Sequence, residues 1–193
     1  MPSAASYAEP VDTLTLELVG PLPAVRVGPQ DHPEWWREGD PPECALEVLA
    51  PLCSALARDP RVALVLRFGD EAWPVDVGTD LCTLVEQLPQ VARSLEGAFS
   101  IDLFEQGIER TLAFVPIDGD AYQVRCSRLV SPAEVLGTLR VSAAEVQASL
   151  RRLTTRFVAM AEVVGPELVR DPAYQAWRAS LGGLVEPAAL GFD

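Results

Sequence analysis

Lysine and asparagine are both absent from this chain of 193 residues, and its 15 basic residues are all arginine. Without lysine there can be no P-loop lysine, no Schiff-base lysine and no protein-kinase lysine, so these enzyme classes are excluded. Both missing amino acids have AT-rich codons. Their joint absence therefore indicates a bacterial gene of high GC content, as in many actinobacteria, and says nothing about function.

Histidine is almost absent too, since His32 is the only one. The four cysteines form no C-x-x-C pair, and one histidine cannot complete a zinc cluster of the usual spacing. Each cysteine lies among apolar residues of a predicted helix or strand, so we expect reduced, buried thiols. Sequence motifs of dinucleotide-binding proteins, α/β-hydrolases and zinc proteases are missing as well. We therefore expect no metal and no cofactor. The cysteines are Cys44, Cys53, Cys82 and Cys126.

Long apolar runs are missing, because Arg, Asp, Pro or Glu interrupts every apolar stretch before the roughly 18 residues that a membrane-spanning helix needs. Residues 1–12 also lack the basic and apolar regions of a signal peptide. These features predict a soluble, cytoplasmic protein.

Acidic residues dominate the charge, with 28 acids against 15 bases and a formal net charge of −13. Such a chain repels the phosphates of nucleic acids and anionic membrane surfaces, so we expect neither as a partner. It attracts a basic protein. The alternative is that the acidity only keeps the protein soluble.

Alternating and β-branched stretches predict seven strands. Residues 12–19 and 24–27 are expected to form a hairpin, and Asp118-Gly119 is a typical hairpin turn inside a β-meander that covers residues 99–126. The predicted strands are residues 12–19, 24–27, 61–68, 73–78, 99–105, 108–116 and 120–126.

Capping patterns predict the helices. Asp40, followed by Pro41 and Glu43, predicts the start of the first helix, and prolines within the first two helices should bend them. The pattern SPAE at residues 131–134 predicts another helix start. The main predicted helices are residues 41–58, 80–96, 142–164 and 171–183.

Together these elements predict an α+β fold. One antiparallel sheet of five or more strands packs with two Pro-bent helices in residues 1–129, and residues 130–193 form a helical segment packed on it, so that the whole is one integrated domain. The helix 142–164 carries a continuous apolar seam, which packs on its own sheet or joins two copies as a homodimer. The seam residues are Val146, Leu150, Leu153, Phe157, Met160 and Val164.

Residues 31–44, DHPEWWREGDPPEC, hold the only histidine and two of the four tryptophans. Three interpretations remain open: the tryptophans fill space between helix and sheet, they form a surface for a basic partner, or His32 acts as a catalytic base. We select the second as the partner-binding prediction. Its residues are Asp31, His32, Glu34, Trp35, Trp36 and Glu38.

Other polar groups surround the predicted hairpins. A turn at one sheet edge forms a second candidate recognition patch, and two groups of carboxylates could serve glycoside or metal chemistry, although solvated acids at strand ends are the simpler interpretation. The patch is Glu105, Gln106 and Arg110. The carboxylate groups are Asp102, Glu105 and Glu109, and Asp70, Glu71 and Asp76.

The resulting prediction is a non-enzymatic binding or regulatory protein, of the immunity or adaptor kind, that uses acidic and aromatic surface to bind a basic protein. Two alternatives remain. One is a hydrolytic or metal-assisted enzyme that uses carboxylates and His32. The other is a small-ligand carrier with a cavity between sheet and helices, near Trp73 or Trp177.

Overall fold

The computed structural model describes residues 12–32, 42–105, 108–117 and 120–185, without the side chains of residues 104, 105 and 108. This part of the chain has an α+β fold in which the strands form two antiparallel sheets, so the predicted single sheet of five or more strands is wrong. The strands are β1 Leu14–Val19, β2 Ala63–Phe68, β3 Glu71–Trp73, β4 Phe99–Glu105, β5 Ile108–Ile117, β6 Ala121–Arg128 and β7 Ser131–Ser142. The helices are α1 Ala45–Ala57, α2 Asp80–Ser94, α3 Ala143–Val164 and α4 Pro172–Ala179.

The first sheet has the order β1-β2-β3. β1 pairs along its whole length with β2, from Leu14 opposite Phe68 to Val19 opposite Ala63. The predicted hairpin between residues 12–19 and 24–27 is therefore wrong. Residues 24–27 form no strand, and the backbone N–H of Val27 donates instead to the carbonyl of Val164 at the end of α3, at 2.8 Å.

The second sheet is a meander with the order β4-β5-β6-β7, and its first three strands confirm the predicted meander. Its fourth strand, β7, corrects the predicted helix start at residues 131–134. The β-branched residues Val135, Thr138 and Val141 favour a strand, and β6 supplies the partner for it. Gly137 lets the ring of Phe68 approach closely, since a Cβ there would lie 2.8 Å from its Cε1 atom.

Two helix starts follow the predicted caps, and one does not. The Ser142 hydroxyl accepts a hydrogen bond from the Glu145 backbone N–H at 3.4 Å, and the Asp171 carboxylate accepts one from Ala173 at 2.8 Å. By contrast, α1 begins at Ala45 with Cys44 as its N-cap, four residues later than predicted. The predicted cap, Asp40, lies outside the described residues.

The core lies between the two sheets and the helices. All six predicted seam residues of α3 are buried within the chain itself, which means that the apolar face needed for the predicted homodimer is already covered. From the C-terminal segment, Tyr174 and Trp177 of α4 also enter this core. Helices α1 and α2 are each continuous across their prolines, Pro51 and Pro89.

Candidate partner-binding groove

Asp31, the first residue of the predicted partner-binding loop, is buried and paired with α1. Its Oδ2 atom lies 2.7 Å from Nη2 of Arg58 and accepts a hydrogen bond from the backbone N–H of Gly28 at 2.8 Å. Its Oδ1 atom accepts one from the Ser54 hydroxyl at 3.2 Å. Since these bonds occupy the carboxylate, Asp31 fastens the turn Pro29–Asp31 to α1 instead of facing a partner.

The remaining residues of that loop are only partly within the described chain. His32 follows the turn and is half buried. The other four residues lie outside the described ranges, so their role in partner binding stays a prediction. They are Glu34, Trp35, Trp36 and Glu38.

Of the second predicted patch, only the side chain of Arg110 is described. Its Cζ atom lies 4.2 Å from the ring centroid of Trp73, which stacks on Phe68 at a centroid distance of 5.7 Å. One guanidinium nitrogen is 3.9 Å from a carboxylate oxygen of Glu71. Arg110 therefore closes one end of the aromatic core through a cation–π contact. The side chain of Glu105 and all of Gln106 lie outside the description.

An open polar groove of about 450 Å³ lies between α2 and the neighbouring edge strand β4. Its walls carry two carboxylates, three amide or hydroxyl side chains, one arginine and one proline. We call it the α2–β4 groove. It is lined by Thr83, Glu86, Gln87, Pro89, Gln90, Arg93 and Asp102.

Gln87 holds the two walls of the groove together. Its side-chain amide donates to the backbone carbonyl of Asp102 at 2.9 Å and accepts from the backbone N–H of the same residue at 2.9 Å. β4 is an edge strand, and edge strands leave such groups without a strand partner. Gln87 therefore closes this part of the edge and fixes the backbone of Asp102 beside the helix.

The carboxylates of the groove lack cationic partners among the described residues. Asp102 accepts a hydrogen bond from the Thr111 hydroxyl at 2.7 Å, and Glu86 is exposed on α2. Neither forms an ion pair within the described part of the chain. Both can accept charge-assisted hydrogen bonds from a guanidinium or ammonium group of another molecule.

Three residues of the predicted carboxylate groups already bind other side chains or backbone groups of this chain. Asp76 accepts hydrogen bonds from the backbone N–H and the hydroxyl of Thr79 at the start of α2. Glu71 pairs with Arg110, and Asp102 binds Thr111 as described above. Among the described residues, no group of three His, Cys, Asp or Glu side chains is arranged to hold a metal ion.

Of the two predicted cavity sites, the one near Trp177 is filled by side chains of the described residues. Trp177 is buried, with Phe157 and Tyr174 at ring-centroid distances of 5.7 and 5.3 Å. A void beside Leu16, Phe114 and Ser149 has room for only about 10 Å³, the space of a single water. That void is too small for an organic ligand.

Most groove residues were missed by the sequence prediction, which named only Asp102. Glu86, Gln90 and Arg93 follow one another at steps of four and three along α2, so a polar stripe on this helix was readable. The position of this stripe beside β4 could not be predicted from the sequence, because tertiary packing brings together two segments about fifteen residues apart.

Comparison with known proteins finds no matching family model, no similar curated sequence and no similar solved structure. In the described ranges, no helix has both the length and the apolar character to cross a membrane.

Proposed function

We propose that this protein is a non-enzymatic binding protein whose α2–β4 groove receives a basic side chain of a protein partner. The observation that carries the proposal is the presence in one open groove of two carboxylates, Glu86 and Asp102, neither of which forms an ion pair within the described chain, although Arg93 also lines the groove. The formal net charge of −13 adds long-range attraction for a basic partner.

The shape of the groove suits a long cationic side chain. Gln87 fixes one wall, Pro89 contributes apolar surface for a methylene stem, and the two carboxylates accept N–H groups. Arg93 at the same groove restricts which cationic group fits, since it repels a second positive charge. The enzyme and small-ligand alternatives gain no support from the described residues.

The test uses a fluorescein-labelled arginine-rich peptide as the basic probe, with binding measured by fluorescence anisotropy. Glu86→Gln should weaken binding about two- to fivefold at low salt, the range of an exposed ion pair. Raising the salt concentration should reduce the difference between variant and wild type, because exposed charges are screened.

The matched control is Glu145→Gln, which removes the same charge from an exposed position on α3, away from the groove lining. It should change the affinity for the probe by less than Glu86→Gln does. Equal losses in the two variants would show that the probe responds to net charge alone, and the groove would be rejected as the binding site.

A second variant tests whether the loop that carries Trp35 and Trp36 binds the partner in addition to the groove. If Trp35 and Trp36 contribute to partner binding, the combined change Trp35→Ala and Trp36→Ala should weaken binding of the same probe in a protein that stays folded by circular dichroism. Unchanged affinity would restrict the proposed site to the groove.

A further inference from the structure

Trp73 and Arg110 meet where the two sheets approach each other. Trp73 ends β3 of the first sheet, and Arg110 lies on β5 of the second. The Cζ atom of Arg110 is 4.2 Å from the centroid of the indole ring, so the guanidinium group lies over that ring. The side chain of Arg110 is 17% exposed and Trp73 is 7% exposed, which places their contact just below the surface.

Both side chains carry a buried N–H group that lacks an acceptor. The Nε1 atom of Trp73 and the Nε atom of Arg110 have no hydrogen-bond partner among the described residues. The indole of Trp177, by contrast, donates to the carbonyl of Val85 at 2.9 Å. Buried donors are normally satisfied, because an unpaired one has given up its hydrogen bonds to water. Two unpaired donors in one contact therefore indicate an acceptor supplied by another molecule.

Positive charge is concentrated at the same place. Arg110 lies directly opposite Arg128 in the register between β5 and β6, and like charges in opposite positions of a sheet repel each other. Arg128 has a carboxylate oxygen of Glu134 at 3.2 Å. Arg110 has a weaker counter-ion, since the carboxylate of Glu71 is 3.9 Å away and belongs to a side chain that is 67% exposed. A negatively charged acceptor would satisfy the unpaired donors and reduce this repulsion.

We propose that Trp73 and Arg110 bind an oxyanion, the phosphate or carboxylate group of a small molecule, through the indole N–H and the Nε–H of the guanidinium group. An oxyanion offers several acceptor oxygens and forms charge-assisted hydrogen bonds with a guanidinium. Glu71 competes with it for Arg110. Two side chains hold the ion just below the surface, so the site differs from the enclosed cavity of a carrier. Neither residue lines the α2–β4 groove, and the site is independent of the proposed function.

The experiment follows the N–H signals directly by NMR. The full-length protein, labelled with the NMR-active nitrogen isotope, is titrated with sodium phosphate or sodium acetate, and with sodium chloride at equal ionic strength. The indole signal of Trp73, assigned by its loss in Trp73→Phe, should shift with an oxyanion until the site is saturated, whereas that of Trp177 should not move. The ion that saturates at the lower concentration distinguishes a phosphate from a carboxylate ligand. A Trp73 signal that ignores both oxyanions, or moves equally with chloride, would overturn the proposal.

Single variants test the role of each charged group. Arg110→Lys keeps the positive charge but removes the Nε–H, and should weaken oxyanion binding about tenfold. Glu71→Gln removes the competing carboxylate and should strengthen binding about two- to fivefold. The control, Arg125→Gln, changes an exposed arginine of β6 and should leave the affinity within about twofold of the wild type. Unchanged affinity in a folded Arg110→Lys variant, or an equal loss in Arg125→Gln, would contradict the proposed site.

A stability measurement completes the test, because an ion that binds only the folded state stabilises it. At about five times its dissociation constant, the oxyanion should raise the melting temperature by about 2–4 °C over sodium chloride of equal ionic strength. Arg125→Gln should keep this rise and Arg110→Lys should lose it. An equal rise in all three proteins would be a general effect of the salt on folding, and would also overturn the proposal.

Discussion

At the scale of single residues, the Asp59–Arg61 pair determines an acid-sensitive part of the stability. The Asp59 carboxylate accepts hydrogen bonds from Nη2 and Nε of Arg61 at 2.7 and 2.9 Å, and from the backbone N–H of the same residue at 3.1 Å. These bonds lower the pKa of Asp59 from 3.8 to about 2. The pair closes the turn between α1 and β2.

This shift predicts the direction of a pH dependence. Because the pKa of the folded state lies below that of the unfolded chain, the stabilising contribution of Asp59 is complete above about pH 4. It falls as the pH drops towards 2 and is absent below that. In Asp59→Asn, the urea midpoint at pH 7 should be lower than in the wild type, and its decrease between pH 4 and pH 2 should be smaller.

The control for this prediction is Asp70→Asn, since the Asp70 side chain is exposed and has no ion pair in the described chain. Its urea midpoints should follow those of the wild type at every pH. If Asp59→Asn also follows the wild type between pH 4 and pH 2, the pair does not contribute to acid stability.

At the scale of secondary-structure elements, the contact between α2 and β4 depends on the side chain of Gln87. Gln87→Ala removes both partners of the Asp102 backbone and should reduce the free energy of unfolding by about 1–3 kcal/mol. The backbone N–H of Asp102 should also exchange faster with solvent, which NMR measures directly.

Gln90→Ala is the matched control, because Gln90 is exposed on the same helix and lines the same groove without a hydrogen bond to β4. It should change the free energy of unfolding by no more than about 0.5 kcal/mol. Equal losses of unfolding free energy in the two variants would mean that the hydrogen bonds from Gln87 to the Asp102 backbone contribute nothing to stability.

The same scale shows which parts of the fold were predictable. The starts of α3 and α4 could be predicted, because a helix cap depends on residues within three positions of one another. The strand β7 could not be predicted. The sequence SPAE at its start fits a helix cap locally, and only the pairing with β6 makes this segment a strand. Division into two sheets likewise depends on β1 pairing with a strand more than forty residues later in the chain.

The candidate site divides in the same way. Asp102 was recognisable as a carboxylate near a hairpin, whereas the groove exists only because α2 lies against β4. Asp31 was predicted as a partner-binding residue, whereas its burial against Arg58 depends on a contact across 27 residues that the sequence does not show. Residue type was readable from the sequence, and the partners of each residue were not.

At the scale of the whole molecule, the C-terminal helix compensates for a proline in the middle of the chain. Pro89 has no backbone N–H, so the carbonyl of Val85, four residues earlier in α2, lacks its helical donor. The indole N–H of Trp177 in α4 donates to that carbonyl at 2.9 Å in a buried position, across 92 residues of sequence. This bond explains why α2 tolerates Pro89, and it joins the helical segment to the rest of the core.

A double-mutant cycle tests this compensation. Trp177→Phe keeps an aromatic ring but leaves the Val85 carbonyl buried without a donor, so it should cost about 1–3 kcal/mol for the lost hydrogen bond, in addition to a packing cost. Pro89→Ala restores a helical N–H to the same carbonyl. The cost of Trp177→Phe, measured by urea unfolding, should therefore be smaller by about 1 kcal/mol in the Pro89→Ala background.

Tyr174→Phe provides the contrast within the same helix, since the buried Tyr174 hydroxyl has no hydrogen-bond partner among the described residues. Removing it should leave the stability unchanged or raise it, because an unsatisfied buried hydroxyl is unfavourable in the folded state.

If the two variants of the Trp177–Pro89 cycle prove additive, the Val85 carbonyl is satisfied in another way. A coupling of the expected sign would show that α4 supplies the hydrogen-bond donor that Pro89 removes from α2. A chain lacking α4 would then leave the carbonyl of Val85 unpaired in an exposed core.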